Sequence, residues 1–103
     1  MKTKLDKSNF AHFERRTNIL KAMAHPTRLF ILELLKEGRM CVCEINELIS
    51  ADMSTVSKHL SVLKNAGLVS SEKEGLSVYY TLLTPCALNS LECIEAVLCS
   101  RQR

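Results

Sequence analysis

The 103-residue chain has no tryptophan, and aromatic residues make up only 5% of it. A core must therefore be built mainly from Leu, Ile and Val. No apolar run approaches the ~20 residues that a membrane helix needs. The opening MKTKLDKSNF is basic but has no apolar stretch behind it, which excludes a signal peptide and gives the expectation of a cytoplasmic, non-membrane protein. The first 40 residues lack cysteine, and the total of five is odd. Without a secretion signal, that count argues against a disulfide framework. There is no Ser-His-Asp arrangement, phosphate loop or paired-carboxylate cleft, so no catalytic role is expected. A length of 103 residues corresponds to one domain spanning 1–103.

Net charge is only +3, but it is unevenly placed. Residues 1–40 hold nine Lys/Arg against four Asp/Glu, and the remainder holds five against seven. Within that acidic remainder, Met53 to Ser71 carries Lys58 and Lys64 and no acid at all. Such a stretch fits an electrostatic footprint for phosphate.

With only three glycines and two prolines, each breaker marks a boundary. Ser8-Asn9 offers caps for a helix over about 10–24, with Phe10, Phe13, Leu20 and Met23 at helical period. His25-Pro26 opens a second helix, apolar nearly all round and stopped by Gly38. Val42, Ile45, Leu48 and Ile49 mark a short third helix. Asp52 caps a fourth, in which Met53, Val56, Leu60 and Leu63 form one stripe up to Gly67. Period two then takes over: a strand at 68–71, a turn over Glu72-Lys73-Glu74-Gly75 and a strand at 76–82. Thr84 and Pro85 start a last helix over about 85–99. The expected fold is mainly α with a small β-hairpin, a winged helix-turn-helix of order α-α-α-α-β-β-α, small enough that a subunit interface would add materially to its buried surface.

The fourth helix carries Ser54, Ser57, Lys58, Ser61, Lys64 and Asn65 opposite its apolar stripe. Small polar side chains let a helix approach base edges, and Lys supplies salt-dependent attraction to phosphate. Ser54, Thr55, Ser57, Lys58 and His59 are the expected DNA contacts, with Lys64 and the turn residue Lys73 on the backbone. His59 sits at the margin of the stripe and equally fits a half-buried hydrogen-bonding group.

Five segments then stand in a specific order: Ala22-Met23-Ala24-His25-Pro26-Thr27-Arg28-Leu29, Cys41-Val42-Cys43-Glu44-Ile45, Ser54-Thr55-Val56-Ser57-Lys58-His59-Leu60, Leu63-Lys64-Asn65-Ala66-Gly67-Leu68-Val69 and Tyr79-Tyr80-Thr81-Leu82. Over roughly Phe10 to Leu83 the chain resembles the ArsR/SmtB repressors of the Cys-Val-Cys type. The resemblance implies a homodimer made by the first and last helices, bound to an inverted repeat in double-stranded operator DNA and released by a metal or metalloid. Two departures stand out. Met53 replaces a frequent Gln at the start of the reading helix, and the wing has one Lys between two acids where several Arg are usual.

The resemblance makes Cys41 and Cys43 the inducer site, and thiolates select soft ions. Residues two apart in a helix point to roughly opposite sides, so both sulfurs reach one ion only where the segment is extended or unwinds. The expectation is that ion binding distorts the entry to the helix-turn-helix. Asn46 occupies the position of a third cysteine in some arsenic sensors, and the N-terminal arm offers none. A third ligand must then come from the last helix: Cys93 first, then Cys86, then Cys99. That helix has no His or Asp, against the family's zinc site. The expected inducer is As(III) or Sb(III). The alternatives are Cd(II)/Pb(II), or a thiol redox or persulfide signal through the same cysteines, or a protein-interaction winged helix without DNA affinity.

Overall fold

The computed structural model describes residues 4–101. Helix α1 runs Lys7–Met23, three residues earlier than Phe10. Asp6 is its cap, in place of Ser8-Asn9: the Asp6 side chain accepts from the Ser8 N–H, while Asn9 closes the capping box. Helix α2, Pro26–Lys36, is capped by His25, whose ring nitrogen accepts from the Thr27 N–H at 3.1 Å. Its Ile31 and Leu32 are fully buried, so α2 is the central element of the core.

A two-residue strand, β1 (Met40–Cys41), leads directly into helix α3, Val42–Glu47. Helix α4 covers Met53–Asn65. It ends in a Schellman motif: the Gly67 N–H donates to the Lys64 carbonyl at 3.0 Å and the Leu68 N–H to the Leu63 carbonyl at 3.0 Å. That closure needs the positive φ of Gly67, 84°. It turns the chain straight into the hairpin β2 (Val69–Glu74) and β3 (Ser77–Leu82).

Three details correct the sequence reading. The sheet has three strands in the order β1-β3-β2, all antiparallel, because β1 pairs Met40 with Tyr80 and Cys41 with Tyr79. A two-residue strand has too little periodicity to be legible in sequence. The hairpin turn is Gly75-Leu76, so Glu72, Lys73 and Glu74 are strand residues paired with Tyr79, Val78 and Ser77. The last helix is divided: a 3₁₀ segment over Pro85–Asn89, without a side-chain cap from Thr84, precedes α5, Ser90–Arg101.

The core joins Ile31, Leu32 and Leu35 of α2 to Ile45 of α3 and to Val56, Leu60 and Leu63 of α4, closed by Leu68, Val69 and Leu88. This burial fixes α3 and α4 as a unit and leaves the polar side of α4 outward. Helix α5 has no buried residue; Ile94 and Val97 are 51% and 57% exposed. On α1, Phe10, Phe13 and Leu20 are exposed as well. No described helix is long and apolar enough to cross a membrane.

Candidate DNA interface and thiol site

Asp52 sets the first turn of α4. Its carboxylate accepts from the Thr55 N–H at 2.7 Å and from the Ser54 hydroxyl at 2.9 Å. These bonds, with Thr55 foremost, hold its pKa below the usual carboxylate value. Ser54 has therefore already donated its hydroxyl proton within the protein and faces outward as an acceptor. Thr55, Ser57, Lys58 and Ser61 are exposed around the same side. The buried stripe of Val56, Leu60 and Leu63 lies opposite. The structure thus brings five of the expected contacts, Ser54, Thr55, Ser57, Lys58 and Lys64, to one open face.

Lys64 does more than stand in solvent. Its Nζ donates to the Ser71 hydroxyl at 2.7 Å, tying the end of α4 to β2. Alternation along β2 then places Lys73 on the side of Val69 and Ser71, toward α4, while Glu72 and Glu74 lie on the other side. Glu74 is further engaged by an ion pair with Arg39. The wing is therefore sorted by face, and Lys73 is not masked by its acidic neighbours. The sequence missed this because it put all three residues in the turn, where faces have no meaning.

His59 is turned inward. Its ring packs against that of His25, tilted by 42° with centroids 4.3 Å apart, and its Nδ1 lies 3.3 Å from a guanidinium nitrogen of Arg28. Arg28 also donates to the carbonyls of Ala22, at 2.6 Å, and Lys21, at 3.2 Å. Burial lowers the His59 pKa most, and the neighbouring His25 and Arg28 lower it further. These placements match the half-buried alternative for His59. The sequence signal for Arg28 was its place in the HPTR segment, but nothing there indicated that it reaches α4.

Cys41 is buried and Cys43 exposed, and the two are joined in a disulfide with Cα atoms 5.4 Å apart. This corrects the expectation of unpaired cysteines. It also shows why no unwinding is needed to bring the sulfurs together: Cys41 caps α3 in extended conformation, φ −79° and ψ 155°, while Cys43 is helical. The strand-to-helix change between them cancels the divergence that two helical positions would have. Glu44 completes the arrangement by accepting from the Cys41 N–H at 3.1 Å.

Cys86, Cys93 and Cys99 are unpaired and exposed. Among the described residues no three His, Cys, Asp or Glu side chains are grouped so as to hold a metal ion, so Cys93 is not brought to Cys41 and Cys43 within one chain. Asn46 Oδ1 is buried without a hydrogen-bond partner.

Arg39 connects the thiol site to the wing. Besides its ion pair with Glu74, its guanidinium lies 4.3 Å from the ring centroid of Tyr79, the residue paired with Cys41.

Comparison with known proteins agrees with this architecture. The family model for bacterial regulatory proteins of the arsR family matches residues 25–71, which run from the His25 cap through α4 to Ser71. An uncharacterized HTH-type transcriptional regulator of Methanocaldococcus jannaschii is 44% identical over 72 residues, covering 69% of this chain and 81% of its own length. A cadmium resistance transcriptional regulatory protein, CadC, of Listeria innocua is 37% identical over 89 residues, with 84% and 75% covered. The homodimeric winged helix-turn-helix DNA-binding domain of Mycobacterium bovis Mb0332 superposes with a TM-score of 0.75 at 28% identity, over 95% of this chain and 90% of that one. The chain belongs to the arsR family of bacterial regulatory proteins, winged helix-turn-helix transcriptional regulators and not enzymes.

Proposed function

We propose that the protein is a homodimeric repressor that holds operator DNA with α4 and the wing and releases it when Cys41 and Cys43 capture a soft ion, arsenite or antimonite in the first place. The observation that carries this reading is the convergence of the two sulfurs at the cap of α3, one strand away from the wing. A sulfur pair already on one side of the backbone suits a thiophilic ion that takes thiolates and has no need of carboxylate or imidazole. Ser54, Thr55, Ser57 and Lys58 meet bases and phosphates in the major groove, and Lys64 and Lys73 meet the backbone. A trigonal ion needs a third sulfur. Since one chain does not group three ligands, Cys93 of the partner subunit supplies it in the dimer.

Release follows from the sheet. With the pair reduced to two thiols, an ion bonded to both sulfurs locks Cys41 and Cys43 into one fixed separation, which strains the pairing of Cys41 with Tyr79. Arg39, held on both Tyr79 and Glu74, carries the displacement to the wing. Cadmium or lead is the competing inducer, supported by the similarity to a cadmium resistance regulator. The Cys41–Cys43 disulfide favours a second reading, in which oxidation of the pair is itself the release signal.

The deciding experiment starts from the thiol-reduced protein on a labelled duplex selected by the protein from a random library. Arsenite is expected to release the DNA from wild type and from neither Cys41→Ser nor Cys43→Ser, both of which still bind. Release by cadmium or lead alone assigns the competing ion. Release by hydrogen peroxide, with no response to any ion, assigns the redox reading. No response to ion or oxidant would overturn the thiol site.

A further inference from the structure

Sequence and architecture treat His59 as one more side chain on the DNA-reading helix, yet its ring is packed against a different element. Three groups meet there. His25 is the N-cap of α2, and its ring packs tilted against that of His59 with centroids 4.3 Å apart. Arg28, in the first turn of α2, approaches His59 Nδ1 at 3.3 Å. The same guanidinium binds the carbonyls of Lys21 and Ala22, in the last turn of α1. One arginine thus gathers the end of α1, the start of α2 and the middle of α4.

Arg28 is always a donor, so the ring atom it meets must be an acceptor. That requires Nδ1 of His59 to be unprotonated. We propose that Arg28 is a positioning residue for DNA binding: it seats the reading helix against α2 through the neutral imidazole of His59, so that protonation of His59 unseats the helix and weakens DNA binding. A proton on His59 would remove the acceptor and add a second cation beside Arg28. The titratable and charged groups that face His59 from α2 are His25 and Arg28; from α1 come the Lys21 and Ala22 carbonyls, through Arg28. Lys21 lines the same open cleft as Arg28 and adds no anion to offset the charge. The downward shift of the His59 pKa by burial, His25 and Arg28 agrees with a neutral ring.

The proposal rests on the reading of α4 as the DNA-contacting helix, and it opposes the alternative role of His59 as a phosphate contact. The two predict opposite signs. A histidine on a phosphate is strengthened by protonation, so DNA affinity rises as pH falls; a seated neutral histidine makes affinity fall.

The test compares wild type with His59→Asn, whose side-chain amide oxygen can accept at the place of Nδ1 but does not titrate. Affinity for the selected duplex is measured at constant ionic strength from pH 8 to pH 5.5. Protonations remote from His59 affect both proteins equally, and making both measurements in a His25→Asn background removes the titration of the ring in contact with it, so the ratio of affinity with His59 to affinity with His59→Asn isolates His59. The expected result is a ratio that is flat above pH 7 and falls by about two- to fivefold by pH 5.5, on the way to the three- to tenfold limit set by a proton coupling of half a pKa unit to one unit. A ratio that rises on acidification would assign His59 to phosphate, and a flat ratio would leave it with packing alone; either overturns the proposal. Should the variant not fold, NMR titration of the His59 ring in wild type decides. A pKa below 6.5 that drops further on DNA supports the seat, and one that rises on DNA refutes it. Failure of wild type to bind any duplex would instead refute the reading of α4, while the ring titration of the free protein still tests whether His59 is held neutral.

Discussion

At the scale of single residues, the fully buried Leu60 and the exposed Lys58 two positions before it do opposite work on one helix. Leu60 touches the α2 core, and truncation to Ala is expected to cost about 2–5 kcal/mol, a large fraction of the stability of a domain this size. Urea unfolding checks it, and a loss below about 1 kcal/mol would contradict the packing. Lys58→Ala should leave urea stability nearly unchanged, because Lys58 is exposed, and on the proposed reading should weaken all duplexes together with a reduced salt slope. His59 adds a pH signature. Its folded pKa lies below the ordinary value of 6.5, so the unfolded chain binds more protons around that pH. Its contribution is therefore present above pH 6.5 and lost as pH falls through the folded value. Melting temperature should decline between pH 7 and pH 5 in wild type and decline less in His59→Asn. A separate loss near pH 4 belongs to Asp6, Asp52 and Glu74, whose pKa values are lowered by Ser8, Thr55 and Arg39 respectively.

At the scale of elements, two short devices set the angle between reading helix and wing. One is the Schellman closure at Gly67, which an alanine cannot adopt without strain at φ 84°. Gly67→Ala should destabilise by about 1 kcal/mol or more in thermal melts and lower affinity for a selected duplex, since the hairpin leaves α4 at a different angle. The other is the Lys64–Ser71 hydrogen bond. The recognition helix itself was legible in sequence: Asp52 as cap, apolar recurrence at three and four, Gly67 as stop. The wing was legible only as a hairpin. Its turn position escaped because Glu72-Lys73-Glu74 has weak strand propensity, and pairing with Tyr79 and Val78 overrides that preference. Once in strand, the three residues separate by face, and the wing's only lysine ends on the side of α4.

For the whole molecule, exposed Phe10, Phe13 and Leu20 on α1 and Ile94, Val97 and Leu98 on α5 are a hydrophobic surface that a lone subunit leaves in water. The proposed homodimer would cover it with a second copy; the similar Mb0332 domain is itself homodimeric. Val97→Glu is expected to give a monomer by sedimentation that keeps its circular dichroism, since α5 contributes no buried residue to the subunit core. Its affinity for an inverted-repeat duplex should drop far more than for a single half-site, because pairing two reading heads is what the repeat rewards. A dimeric Val97→Glu would place the interface elsewhere.

By itself, the sequence determined what local period, caps and residue chemistry can express: four helices before a hairpin, the outward polar side of α4, and the family. Ser54, Ser57 and Lys58 could be placed because they sit opposite an apolar stripe on the same helix, and that relation needs no knowledge of the rest of the chain. Tertiary structure alone decided the contacts between residues far apart in sequence. It turned His59 toward Arg28, 31 positions away, joined Arg39 to Glu74, and added β1 to the hairpin. It also brought the two sulfurs together, because the backbone changes from strand to helix between Cys41 and Cys43 and that change depends on pairing with Tyr79. Periodicity reports which side of an element is buried. Which partner that side meets is fixed only when the elements pack.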